Sequence, residues 1–129
     1  MFPESLERCM FTFGLAPVCR QVDEVYTATY KRMTERNKRF YSRYPQDVAT
    51  VRAIVKHLQE MDKEQGGVTL PSGGKLTTRR FLQSGLALGS ASGMENLHWL
   101  LEDPWAAEGL LSYGFLKVQL WILVFGIRG

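Results

Sequence analysis

Cysteine and histidine are both scarce in this chain, with two of each among 129 residues. Cys9 and Cys19 are too few for a disulfide framework, and they lack the CxxC spacing that is typical of zinc and redox sites. His57 and His98 are widely separated and show no metal-ligand spacing. The sequence therefore predicts neither a metal site nor a cofactor.

The chain also lacks a long hydrophobic run and a dense block of like charge. Its most apolar stretch, residues 118–127, is about ten residues long, half of what a bilayer-spanning helix requires. Met1-Phe2-Pro3-Glu4 is followed by charged residues and not by an apolar run, which is not typical of a secretory signal. The net charge of +3 comes from interleaved basic and acidic residues. We therefore expect no nucleic-acid partner, no membrane partner and a cytoplasmic location.

The composition of the chain is that of a globular protein. Hydrophobic residues make up 45% of it and charged residues 22%, which is close to the average for folded domains. A domain of this size typically buries roughly two-thirds of the surface that its unfolded chain exposes. One domain with its own core is therefore the expectation.

Two amphipathic helices are predicted in the first half of the chain. Asp23 suits the N-cap of a helix that runs to about Tyr44, and Pro45 suits the first position of the next helix. Apolar side chains recur at three- and four-residue spacing along both segments. The pattern predicts a two-helix hairpin that ends at Gly66 and Gly67.

The remaining segments are shorter and mostly helical. Residues 9–13 indicate a single buried strand, and residues 68–76 indicate a small turn or β-hairpin. Thr77 is the predicted cap of a third helix that continues through Leu88. A fourth helix is predicted over residues 93–102, and a last helical stretch from residue 110 onward. The fold class is therefore mainly α.

Glu95, His98 and Trp99 form the candidate binding site. Helical spacing places Glu95 and His98 on one face, beside Trp99 and near tyrosines of the first helix. A carboxylate among aromatic rings suits a small protonated amine, because charge-assisted hydrogen bonds and ring faces both favour a cation. The alternative is that Glu95 only interacts with the helix dipole and that His98 is a packed or capping side chain.

No catalytic set is predicted from the residues. His57 is interpreted as a solvated surface histidine, and no serine, histidine and aspartate combine into a triad. The segment Gly89-Ser90-Ala91-Ser92-Gly93 has alanine where a nucleophile elbow requires serine, so it is interpreted as a flexible break.

Several segments, taken in order, carry a family resemblance. Residues 2–7 and 11–17 come first, and the later segments are residues 23–30, 37–41, 44–48, 70–77, 79–81 and 93–98, which include Tyr44-Pro45-Gln46-Asp47-Val48 and Gly93-Met94-Glu95-Asn96-Leu97-His98. Over residues 2–117 this order resembles proline iminopeptidases, which are α/β-hydrolase aminopeptidases. The matching portion is the helical cap, or lid, of that family.

The resemblance implies a division of the chain into three parts. Residues 1–17 would be a remnant of the α/β-hydrolase core, comprising the end of the nucleophile helix and one strand. Residues 18–117 would be the helical cap domain, with a small β-hairpin as an option. Residues 118–129 match nothing in the family pattern and would be an atypical apolar tail.

The resemblance also implies a function, which is release of an N-terminal proline from peptides. In that family a serine attacks the carbonyl, a histidine is the base, an aspartate orients it, and cap glutamates hold the free amine. Glu95 is the best match to such a glutamate, and His98 and Trp99 would be its neighbours. The implied partner is a peptide with an N-terminal proline.

The family's nucleophile would precede this chain and its acid and base would follow it. We therefore expect a fragment that selects substrate and is inactive alone, as a truncated or misread gene product would be. The alternative is a non-catalytic helical interaction module. The strand at residues 9–13 separates the two, because a self-contained module has no reason to keep an unpaired strand.

Overall fold

The computed structural model describes the backbone of residues 20–125 and the side chains of residues 20–119. The predicted strand at residues 9–13, the part assigned to residues 1–17 and the last four residues of the tail lie outside the described residues.

The predicted two-helix hairpin is present. Helix α1 spans Val22–Arg43 and helix α2 spans Asp47–Gln65, and the turn between them begins at Tyr44. Two details differ from the prediction. Gln21, not Asp23, is the N-cap of α1, and Pro45 lies in the turn before α2 rather than at its first position. Asp23 instead lies in the first turn of α1, where a carboxylate favours the positive end of the helix dipole.

A β-hairpin follows the helices, as one of the two predicted alternatives. Strands β1 (Val68–Thr69) and β2 (Lys75–Leu76) pair antiparallel, with Val68 opposite Leu76. Gly66 ends α2 in the left-handed conformation at φ 70°, which glycine adopts without a steric penalty.

The predicted third helix is divided into two pieces. Thr77 is the N-cap of helix α3 (Thr78–Leu82), and its hydroxyl accepts a hydrogen bond from the backbone N–H of Arg80, so the predicted cap is confirmed. The chain then continues as a 3₁₀ helix over Gln83–Gly89. Gly85 and Gly89 are poor α-helix formers, and 3₁₀ turns are common where an α-helix ends, which accounts for the division.

Helix α4 spans Gly93–Glu102, as predicted. The prediction of a helix from residue 110 was wrong in its first residues, which belong to a second hairpin of β3 (Trp105–Ala107) and β4 (Leu110–Leu111). Gly109 provides the turn with a φ of 71°. Helix α5 (Tyr113–Phe125) follows and runs through residue 118 without a break.

One apolar core joins these elements. Helix α2 packs against α3, α4 and β1, while the 3₁₀ helix contacts α1, α4 and α5. Only the C-terminal part of α1 reaches the core, because Val22, Val25, Tyr26 and Tyr30 are exposed. The predicted apolar face of α1 is thus half covered. Among residues 20–119, the buried apolar residues are Phe40, Ile54, Leu58, Leu70, Leu76, Phe81, Leu88, Leu97, Leu100, Leu101, Leu111 and Phe115.

A buried polar pair fastens α5 to the 3₁₀ helix. The hydroxyl of Ser84 donates to Oε1 of Gln119 across 2.9 Å, and both side chains are buried. Among the helices in the described part of the chain, none is both long and apolar enough to cross a membrane.

Candidate functional site

The candidate site lies where the α1–α2 turn meets the exposed side of α4. Tyr44 is the C-cap of α1 and Asp47 is the first residue of α2, so the tight turn places both side chains at one end of the hairpin. The backbone N–H of Asp47 donates to the carbonyl of Tyr44 across 3.1 Å, which closes the turn. Glu95 and His98 are one helical turn apart on α4 and face this end.

Asp47 and His98 form the buried half of the site. The Oδ2 atom of Asp47 lies 2.9 Å from Nδ1 of His98, and the two side chains are 3% and 19% exposed. An ionised carboxylate can only accept, so His98 donates from Nδ1. The imidazole also stacks on the ring of Tyr44, with 3.9 Å between ring centroids and 8° between ring planes. The imidazole of His98 is therefore held at its edge by Asp47 and on one face by Tyr44.

Arg43 and Glu95 form the exposed half of the site. The Nη1 atom of Arg43 lies 2.6 Å from Oε1 of Glu95, with side-chain exposures of 58% and 33%. The guanidinium carbon of Arg43 is 5.3 Å from the centroid of the Tyr44 ring, within the range of a cation–π interaction. Glu95 thus already holds a cation that also lies over an aromatic ring.

Tyr41 lies next to this cluster on α1. Partial burial raises the pKa of its phenol above the ordinary value of 10.0, and the charge of Asp47 raises it further, while Arg52 acts in the opposite direction. The phenol is therefore neutral at physiological pH and can donate a hydrogen bond.

The three predicted site residues differ in their surroundings. Glu95 and His98 each contact a residue at the end of the helical hairpin, and Tyr44 is the nearby tyrosine that the sequence anticipated. Trp99 is 66% exposed, so its part in the site stays a prediction. His57 is half-buried and meets Trp105 edge to face at 5.4 Å, so it is less solvated than the sequence predicted.

Two residues of the site were not predicted as site residues from the sequence, namely Arg43 and Asp47. In the sequence, each is a part of the helical pattern or of the joint between the two helices. The available signal was the break at Tyr44-Pro45. A tight turn there directs its flanking side chains toward the element that packs against the end of the hairpin. That signal indicates a location and does not indicate a partner.

Two further features of the described residues lie outside this site. An open cavity of about 390 Å³ is lined by Trp105, Ala107, Glu108 and Gly109, at the β3–β4 turn. Within the same part of the chain, no group of three or more histidine, cysteine, aspartate or glutamate side chains is arranged to hold a metal ion.

Comparison with known proteins places the chain beside one kind of peptidase. It is 41% identical over 119 residues to a proline iminopeptidase of Aeromonas sobria, which covers 92% of this chain and 27% of that protein. It is 33% identical over 102 residues to the proline iminopeptidase aneH of Aspergillus aculeatus, covering 79% of this chain and 21% of that protein. No protein-family model matches the chain.

These similarities confirm the family resemblance that the sequence motifs indicated. The chain spans about a quarter of the length of the curated relatives that it matches. Its mainly helical fold is consistent with the expected helical cap.

Proposed function

We propose that this chain is the substrate-selecting helical cap of a proline iminopeptidase-like serine hydrolase, which releases N-terminal proline from peptides. The names of the two relatives support the class of reaction, and the match over most of this chain supports a common origin. The nucleophile, base and orienting acid would come from outside these 129 residues. The role of this chain is then to hold the first residue of the peptide.

The observation that carries the proposal is the cation already held by Glu95. The carboxylate lies 2.6 Å from a guanidinium nitrogen, and that guanidinium lies over the Tyr44 ring. The ammonium of an N-terminal proline is also a cation and carries an apolar ring beside its charge. A carboxylate next to stacked rings suits both parts of such a ligand, since the carboxylate binds the charge and the rings contact the pyrrolidine.

The buried pair behind Glu95 explains why the site would be rigid. His98 is fixed by Asp47 on one edge and by Tyr44 on one face. Because Glu95 and His98 lie one turn apart on α4, fixing His98 also fixes the orientation of that face of α4. Binding a substrate and its transition state equally raises no rate, so the cap would contribute selection and positioning rather than chemistry.

The test is to titrate the full 129-residue chain with L-prolinamide and to measure the affinity from the changes in the NMR spectrum. We expect Glu95→Gln to weaken binding by about tenfold or more, since a hydrogen bond to a charged group contributes about 1.5–3 kcal/mol. Glu102→Gln is the matched control, because it makes the same chemical change on the exposed end of the same helix.

The charge of the ligand is tested separately with N-acetyl-L-prolinamide, which keeps the ring and loses the positive charge. The proposal predicts that this compound binds no better to the unaltered chain than to Glu95→Gln. Equal affinity of both chains for L-prolinamide would contradict the assignment of Glu95.

A second candidate function is a helical protein-interaction module. The specific observation that favours it is the uncovered N-terminal half of α1, where Val22, Val25, Tyr26 and Tyr30 are exposed. A module of this kind would bind through that face and would not distinguish L-prolinamide from its acetylated form. The two ligands therefore separate the two candidates.

A further inference from the structure

We propose that Arg43 is an internal substitute for the substrate cation, which occupies Glu95 until an N-terminal amine displaces it. This inference rests on the proposed function, because it assigns Glu95 to the amine. It goes further in naming a residue that competes with substrate and so determines which amines can bind.

The position of the guanidinium carries the argument. Arg43 contacts the carboxylate of Glu95 and lies over the ring of Tyr44, which are the two groups that a protonated proline would use. The guanidinium of Arg43 thus occupies the site in the way that a ligand cation would. The carboxylate offers two oxygens, and Arg43 engages Oε1.

The exposure of Arg43 makes the contact reversible. Its side chain is 58% exposed, and ion pairs that remain in contact with water add little stability. Arg36, on the same helix, is a contrast, because its guanidinium is part-buried and donates to the backbone carbonyl of Leu88. Arg36 joins α1 to the 3₁₀ helix, whereas Arg43 is exposed beside the α1–α2 turn and can move into solvent.

Competition of this kind has a consequence for selectivity. A simple amine offers only its charge and must displace a guanidinium that offers both charge and a planar surface. A prolyl amine offers its charge together with a ring that can contact the aromatic face of Tyr44. Arg43 therefore excludes weakly binding cations from Glu95 without closing the site.

The first experiment measures the affinity of the full chain for L-prolinamide after Arg43→Gln, which removes the charge and keeps most of the side-chain length. We expect about threefold to fivefold tighter binding, which corresponds to the loss of one exposed ion pair. Arg43→Lys keeps a competing cation and should restore the weaker affinity. Arg39→Gln, an exposed position one turn earlier on α1, is the matched control and should change nothing.

The second experiment observes the displacement directly. In the unaltered chain, the ¹⁵N resonances of the Arg43 guanidinium should shift when L-prolinamide is added, and those of Arg39 should not. Absence of any change at Arg43 on saturation would overturn the inference.

The outcomes separate this inference from the proposed function. If Glu95→Gln weakens binding while Arg43→Gln leaves it equal or weaker, Glu95 binds the amine and Arg43 is not its competitor. If L-prolinamide binds without regard to Glu95, or binds to none of the chains, both proposals fail. Tighter binding by Arg43→Gln that also depends on Glu95 supports both.

Discussion

The carboxylate of Asp47 is among the most deeply buried polar groups in the described part of the chain, and His98 is the side chain that pairs with it. A buried carboxylate is costly unless a donor compensates for the water that it has lost. The pair also joins residues that are 51 positions apart in the sequence, so it fastens α4 to the start of α2. Its contribution is therefore to hold the orientation of the site.

His98→Phe tests this contribution, because phenylalanine can still stack on Tyr44 but cannot donate to Asp47. We expect a loss of about 3 kcal/mol in the free energy of unfolding, measured by urea denaturation, since an unpaired buried charge is left behind. His57→Phe is the control at the other histidine, where the ring meets Trp105 edge to face, and should cost less than about 1 kcal/mol. A similar loss in both variants would show that Asp47 does not depend on His98.

Helix α4 also depends on how closely it approaches the 3₁₀ helix before it. Gly93, its first residue, lies so near the chain at Ala87 that a β-carbon would overlap the Ala87 carbonyl oxygen and lie 2.8 Å from Oγ of Ser90. The segment that the sequence suggested was a flexible break is therefore a tight connection. Glycine is required at position 93 because the space there leaves no room for a side chain, and not because of its backbone angles.

Gly93→Ala should lower the free energy of unfolding by at least about 3 kcal/mol, because the overlap is with backbone and cannot be relieved by a rotamer change. Gly85→Ala adds the same methyl group inside the 3₁₀ helix, where a β-carbon meets nothing within 4 Å. That control should change stability by less than about 1 kcal/mol. Thermal or urea unfolding of both variants provides the comparison, and equal losses would contradict the close approach.

At the scale of the whole molecule, helix α2 packs against α3, α4 and β1. Ile54 and Leu58 of α2 are fully buried at 0% exposure and lie in the apolar core that the described residues form. Loss of a buried side chain from α2 weakens the packing of every element that α2 contacts. We therefore expect the helices and the first hairpin to unfold together.

Leu58→Ala tests that expectation and should cost about 3 kcal/mol, from the lost burial and the cavity that remains. Leu82→Ala makes the same change at a side chain that is 59% exposed and should cost no more than about 0.5 kcal/mol. Circular dichroism and tryptophan fluorescence should follow one unfolding transition in Leu58→Ala. Two separate transitions would show that the core is not shared.

Local patterns were sufficient for much of the fold. Helices α1, α2 and α4 were predictable because their apolar side chains recur with the helical period, and Thr77 was predictable because a cap acts on the next three residues. The β3–β4 hairpin was missed, since strands this short have almost no periodicity and depend on the turn at Gly109. The apolar pattern of α1 also could not show that only half of its face is covered.

The candidate site was likewise predictable only where it depends on local sequence patterns. The sequence was enough to place Glu95 and His98 on one face of α4, because the geometry of an α-helix relates residues three positions apart. It could not provide Arg43 and Asp47 as their partners, since those contacts join distant parts of the chain. Which charges meet depends on how the α1–α2 turn packs against α4, and that packing is set by the shared core rather than by any local pattern.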